Sequence, residues 1–330
     1  MNFQKLEKKA MTFAFFLIII LVSTIIYSKY FKYISLYDKN RIFLIKKFTT
    51  QKKLKFENEI QSFEVFDDTI VLNLYDKIHW YYKNKKIKEF YPTSYSKKPL
   101  FLGFSLGNIL SIQDTRNAIN YNLSHSGQVI STEKIKIKPS RIIQANKSGF
   151  LTTYWGNDNS ENIYFYNSKD STTSLIYKLP PYNDGGLSTD GYFIKNTQGE
   201  IAYVFYYLNK ILTFSPDGKF KKSITTIDGD SLSKPIGKLT LGRFRPSKDA
   251  REIHGASAFH NQFVYVISNV CFKKTSDYCQ NVVVDCYDVS LGKYINSFNL
   301  PFSNNTKINY LKILNQGIFL THNNDIYLLN

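Results

Sequence analysis

Six times along this chain a short apolar segment is followed, after a turn, by a second segment rich in Tyr and Phe. Thr69–Leu74 precedes Lys77–Tyr82, Asn108–Ile112 precedes Asn117–Tyr121, and Phe150–Tyr154 precedes Asn162–Tyr166. Ile201–Phe205 precedes Lys210–Phe214, Phe263–Ile267 precedes Val282–Tyr287, and Gly317–Thr321 precedes Asp325–Leu329. Alternation at a period of two, punctuated by Asp-Gly, Ser-Gly and Leu-Gly turns, is the pattern of β-hairpins. Beyond residue 40 helical periodicity is almost absent. The 25 Tyr and 26 Phe suit pleated, half-buried surfaces and support the same reading.

A recurrence of roughly 40 residues, widening past 50 toward the C-terminus, is the length of one propeller blade with insertions. One such unit cannot bury both faces of its sheet, so six are expected to close into a ring. The last unit stops after its third strand. Its missing outer strand is expected from the N-terminal side, where Arg41–Ile45 and Lys53–Phe56 both read as strands. With both strands in use, a seventh, split blade is the open alternative. The fold class is therefore all-β, a β-propeller of six blades (seven as the alternative) closed by N-terminal strands, over residues 41–330.

Ahead of it, residues 10–28 carry no charge and centre on Phe13-Ala-Phe-Phe-Leu-Ile-Ile-Ile-Leu-Val22. Nineteen helical residues span roughly 28 Å, the depth of a bilayer's hydrocarbon core. Small residues fit for a signal-peptide cleavage site are lacking, so a retained signal anchor is expected. The layout is a tail at 1–9, a transmembrane helix at 10–28, a linker at 29–40 and then the propeller. Lys5, Lys8 and Lys9 favour a cytoplasmic N-terminus and an extracytoplasmic propeller on a bacterial inner membrane.

Asn209-Lys-Ile-Leu-Thr-Phe214 with Asp217-Gly218 resembles the second half of an NHL-type propeller repeat. Gly107–Asp114 with Asn117 and Gly127 resembles a looser whole repeat, and the unit ending Val284–Phe298 is similar to blades of bacterial NHL-like or TolB-like propellers. The resemblance covers residues 60–330 as an architecture and implies a six-bladed fold that binds partners. It brings no catalytic residue with it, because such folds host many functions.

Gly103-Phe-Ser-Leu-Gly107 matches a nucleophile elbow, but a strand follows Ser105 where the elbow needs a helix. Cys271 and Cys279 flank one hairpin loop and are a disulfide candidate, which leaves Cys286 as a buried thiol; no metal-ligand spacing accompanies them. Gly156–Asn162 is rich in oxygen ligands without the spaced carboxylates of a calcium loop. His254 and His260 share parity if residues 252–260 form one unbroken strand. The net charge of +17 is spread along the whole chain with no nucleic-acid-binding motif, so nucleic acid is not an expected partner.

In a propeller, the loops joining second to third strands open on the same face as those joining blades. The long loops of that face run from Gly229 to Arg251 and from Cys271 to Cys279, with Pro180–Thr189 beside them. They bring Arg243, Arg245, Arg251, His254, Tyr182 and Asp184 to one rim. Arg243 and Arg245 flank Phe244 and can offer paired guanidinium groups to a carboxylate or phosphate. The expected function is a non-catalytic platform for a protein partner or an acidic ligand, with no metal and no cofactor. Two alternatives stay open: a propeller lyase or hydrolase acting on an acidic polymer with His254 or a Tyr as base, and an accessory subunit of a periplasmic redox complex.

Overall fold

The computed structural model describes residues 41–330 except 45, 67–68, 75–76, 83–84, 92–100, 105–108, 115–116, 125, 156–160, 183, 229–235, 241–242, 248–249, 251, 270–280 and 304. Of residues 52, 66 and 101–104 only the backbone is described. The transmembrane helix expected at 10–28, the linker at 29–40, Ser105, Arg251, Cys271 and Cys279 lie outside the described residues. Among those described, no helix is long and apolar enough to cross a membrane.

Six sheets of four antiparallel strands follow one another in the chain. Blade 1 is Ser62–Phe66, Thr69–Asn73, Ile78–Tyr82 and Lys85–Phe90. Blade 2 is Phe101–Phe104, Ile109–Asp114, Ile119–Ser124 and Val129–Lys134. Blade 3 is Arg141–Gln144, Gly149–Trp155, Glu161–Asn167 and Thr172–Tyr177. Blade 4 is Gly191–Lys195, Ile201–Phe205, Lys210–Phe214 and Phe220–Thr225. Blade 5 is His254–His260, Phe263–Ser268, Asn281–Asp288 and Lys293–Ser303. Blade 6 has three strands of its own, Tyr310–Leu314, Gly317–His322 and Asp325–Leu329.

The fourth strand of blade 6 is Thr50–Lys55, which runs antiparallel to Asp325–Leu329 with Lys55 opposite Asp325 and Thr50 opposite Leu329. The expected closure from the N-terminal side is therefore present. Among the described residues 41–44, the second N-terminal strand expected there does not form. Around Arg41–Leu44 only Phe43 makes a bridge, a parallel one to Ser297 on the outer strand of blade 5. No seventh blade is built from it, and the ring has six.

Alternation along each strand explains how the blades stack, since successive side chains face opposite neighbours. On the third strand of blade 5, Val282 and Val284 pack with Leu311, Ile318, Leu320 and Leu329 of blade 6. Tyr287, on the other face, packs with Ala202, Val204, Ile211 and Ile224 of blade 4. Trp80 of blade 1 is likewise sealed against Leu110, Ile112, Tyr121 and Leu123. Ile60, Phe63 and Leu72 meet Phe319 and Ile326 where the ring closes. Each such fully buried side chain contributes on the order of 1.5–3 kcal/mol relative to exposure.

Candidate functional site

The segment between blades 4 and 5 was expected as one long loop. It instead folds into a two-stranded antiparallel ribbon, Gly237–Thr240 with Arg243–Pro246. Lys238 pairs with Arg245 and Thr240 with Arg243, so these four side chains share one face. Leu239 and Phe244 are opposite each other on the other face. A lone two-stranded ribbon is marginal in water, so something must hold it.

The holder is the connection between blades 3 and 4. Asp184, only 1% exposed, accepts the backbone N–H of Ser188 at 3.0 Å, the Ser188 hydroxyl, and the backbone N–H of Gly237 at 3.3 Å. Ser188 Oγ in turn accepts the N–H of Ile236 at 3.0 Å, and Ser247 N–H donates back to Ile236 O at 2.8 Å. Gly185 has φ of +72°, and a Cβ there would come within 2.7 Å of the Phe244 ring. A glycine is needed because its left-handed turn passes directly beneath that ring. With Phe244 against this loop, the face bearing Lys238, Arg243 and Arg245 is turned away from the body. All three are exposed, and none makes an ion pair among the described residues.

Of the rim residues expected from the sequence, Arg243 and Arg245 thus stand together on one exposed face, and Asp184 is the internal fastener beneath them. Tyr182 is half-buried against the core between blades 3 and 4, where burial and then Asp184 raise its phenol pKa. His254 is 1% exposed. Its Nδ1 lies 2.6 Å from Phe205 O and its Nε2 2.9 Å from Thr226 Oγ1. A carbonyl only accepts, so Nδ1 carries the proton and Nε2 receives the threonine hydroxyl. Burial pushes the imidazole pKa down to about 4. His260 does not join it: the strand from His254 to His260 carries a register shift between His254 and Ser257, and this bulge upsets the parity expected of an evenly paired strand. Cys286 is a buried free thiol, its pKa pushed up to about 12 chiefly by burial. Among the described residues no group of His, Cys, Asp and Glu is disposed to hold a metal.

One cluster escaped the sequence reading. Arg41 is 8% exposed and enters the seam between blades 4 and 5. Its Nε donates to Asp285 Oδ1 at 3.0 Å and its Nη2 to Asp285 Oδ2 at 2.9 Å. The same Nη2 reaches Asp228 and, at 3.2 Å, Ser268 Oγ. Burial first, and then the charge of Asp285, raise the pKa of Asp228. The sole sequence signal was an aspartate, Asp285, in the middle of an otherwise apolar stretch of strand.

Three solved structures are similar to this one. They are a WD40 domain of Pan2 from Neurospora crassa, virginiamycin B lyase from Staphylococcus aureus, and a Bacteroides fragilis protein described as exported. The first has TM-score 0.51 and 9% identity, covering 86% of this chain and 94% of that one. The lyase has TM-score 0.50 and 13% identity, covering 86% and 99%. The third has TM-score 0.55 and 9% identity, covering 83% of each chain. At these identities the likeness is one of fold. The chain is a six-bladed β-propeller. No family model and no curated protein matches it.

Proposed function

We propose that this propeller is a non-catalytic binding platform, tethered to a membrane by residues 10–28, that takes an acidic partner or ligand on its ribbon. One observation carries the reading: Lys238, Arg243 and Arg245 share an exposed face, without ion pairs among the described residues, on a ribbon fastened from below by Asp184. A fixed element spares the cost of ordering backbone on binding, and its two guanidinium groups can each grip carboxylate or phosphate oxygens two at a time. The uncharged run at 10–28 supports the tether, and the charge bias before it supports an extracytoplasmic propeller on a bacterial inner membrane. The NHL-like or TolB-like character of the Lys210–Phe214 blade fits a fold used for docking. The lyase alternative gains nothing from His254, whose two ring nitrogens are both engaged inside the protein.

The test uses the full chain in mild detergent with poly-L-glutamate as the carboxylate probe. Binding that falls at least tenfold in Arg243→Ala/Arg245→Ala, with the fold intact, supports the platform. Equal binding by both proteins removes the ribbon from the function. Resistance of the protein to alkaline extraction from membranes tests the tether separately.

A further inference from the structure

Trp155 and Phe244 are exposed aromatic rings, at 46% and 43%, and both lie against one turn. That turn is Gly185–Gly186, in the connection between blades 3 and 4, with φ of +72° and +78°. A Cβ on Gly185 would strike the Phe244 ring, and one on Gly186 would come within 3.2 Å of the Trp155 ring and 2.7 Å of Glu161 Oε2. Consecutive Cα atoms are about 3.8 Å apart, so the two rings flank a very short span of backbone. Without side chains at the glycines, both rings rest on backbone while close to half of each stays in solvent. Arg243 and Arg245 flank Phe244 in the chain and carry their charges on the ribbon's other face.

Beside Trp155 stands a mixed set of charges. Glu161 is directly opposite Trp155 in the pairing of blade 3's second and third strands. Arg141 opens the inner strand of blade 3, and Asp190 precedes that of blade 4. Arg141 Nη2 donates to Asp190 Oδ1 at 3.1 Å and its Nε to Gly191 O at 3.0 Å. The two side chains are thus oriented in advance, yet 30% and 35% exposed. Glu161 lies within the field of both. Burial raises the carboxyls of Glu161 and Asp190, so neither holds its charge as firmly as an exposed acid.

An anion meets two carboxyl groups here, and a cation meets a guanidinium. A neutral polyhydroxyl ring meets neither penalty. Its hydroxyls find acceptors in Glu161 and Asp190 and a donor in Arg141, and its C–H face finds the flat ring of Trp155. A pyranose has both kinds of surface. An apolar peptide has only one, and would strip water from these charges without replacing the hydrogen bonds.

We propose that Trp155, Glu161, Arg141 and Asp190 form a pyranose subsite beside the ribbon, and that the ribbon's acidic ligand is a polysaccharide of carboxylated pyranose units. One sugar ring stacks on Trp155 while carboxylates of the same polymer are gripped by Arg243 and Arg245. The carboxylate half rests on the binding role proposed for the ribbon; the ring half rests on Trp155.

The test uses the full chain in mild detergent, with polygalacturonate and poly-L-glutamate at equal carboxylate concentration. Of the two tryptophans, Trp80 is fully buried, so acrylamide quenching of tryptophan fluorescence reads Trp155. Polygalacturonate is expected to bind roughly tenfold more tightly than poly-L-glutamate and to reduce the quenching roughly twofold. Trp155→Ala should bind the two polymers alike, and Trp155→Tyr, which keeps a ring, should retain most of the preference. Equal binding of both polymers by wild type, or a preference unchanged in Trp155→Ala, overturns the sugar subsite and leaves the ribbon an acidic protein as its partner. The quenching needs no variant to fold: Trp155 left unshielded by bound polygalacturonate also overturns the subsite. Binding of both polymers unchanged in Arg243→Ala/Arg245→Ala overturns the ribbon's role, and with it the carboxylate half, whatever Trp155 reads.

Discussion

Lys312 on the inner strand of blade 6 and Glu64 on the inner strand of blade 1 form an ion pair whose side chains are 15% and 4% exposed. The outer strand of the ring is closed by pairing of backbone, and the inner edge is closed by this pair of charges. Removing one partner strands the other in a poorly hydrated place. Glu64→Gln is expected to cost about 3–5 kcal/mol, whereas Glu64→Leu with Lys312→Met recovers most of the loss. Urea denaturation of the three proteins checks this.

The ribbon makes a separate prediction about the form of its cations. Arg243→Lys/Arg245→Lys keeps the charge and loses the planar forks, so poly-L-glutamate should bind more weakly than to wild type but more tightly than to the double alanine variant. Stability should move by less than about 0.5 kcal/mol, because both side chains are exposed. Affinity for all three should fall as salt is raised, least steeply for the alanine variant.

Asp184 should matter to binding although it is hidden from any ligand. Asp184→Ala leaves two backbone N–H groups and a hydroxyl without their acceptor, a loss of about 2–4 kcal/mol. The ribbon loses its fastening, and poly-L-glutamate affinity should drop with every cation still in place. Binding unchanged in a folded Asp184→Ala protein would show that the ribbon needs no such support.

His254 sets a pH dependence. Its folded pKa of about 4 lies below the unfolded value near 6.5, so between those two values the unfolded chain binds more protons. The contribution is complete above pH 6.5 and is lost as pH falls toward 4, at most about 3 kcal/mol. The midpoint of urea denaturation should therefore decline with acidification more steeply in wild type than in His254→Gln.

The hairpins at the heart of each blade were legible because their signal is local. Thr69–Asn73 with Ile78–Tyr82 and Gly317–His322 with Asp325–Leu329 match the predicted pairs to within a residue or so. The closing strand was legible for a topological reason, as three strands at the C-terminus require a fourth from elsewhere. The ribbon was missed because its strands are only four residues long and exposed on nearly every side chain, so no apolar alternation marks them. Asp184 and His254 have the residue types of a ligand site, and sequence cannot tell an outward carboxylate from one turned inward upon a loop. Arg41 was beyond reach: its partner Asp285 lies 244 positions away, and nothing periodic joins them.

The closing strand also has a history in time. Thr49 and Asn330, hydrogen-bonded at the foot of that strand, are separated by 281 positions, so Thr50–Lys55 leaves the ribosome long before its partner exists. At synthesis speeds of roughly 5–20 residues per second, it waits on the order of 14–56 seconds without its partner strand. Such an edge invites pairing with another nascent chain, and lysines along it are a known deterrent. Lys53 and Lys55 stand on this strand, and in the finished ring Lys53 meets Asp325 on the strand that arrives last. A charge that suits a solitary strand during synthesis is thus also one that pairs with its neighbour in the closed ring.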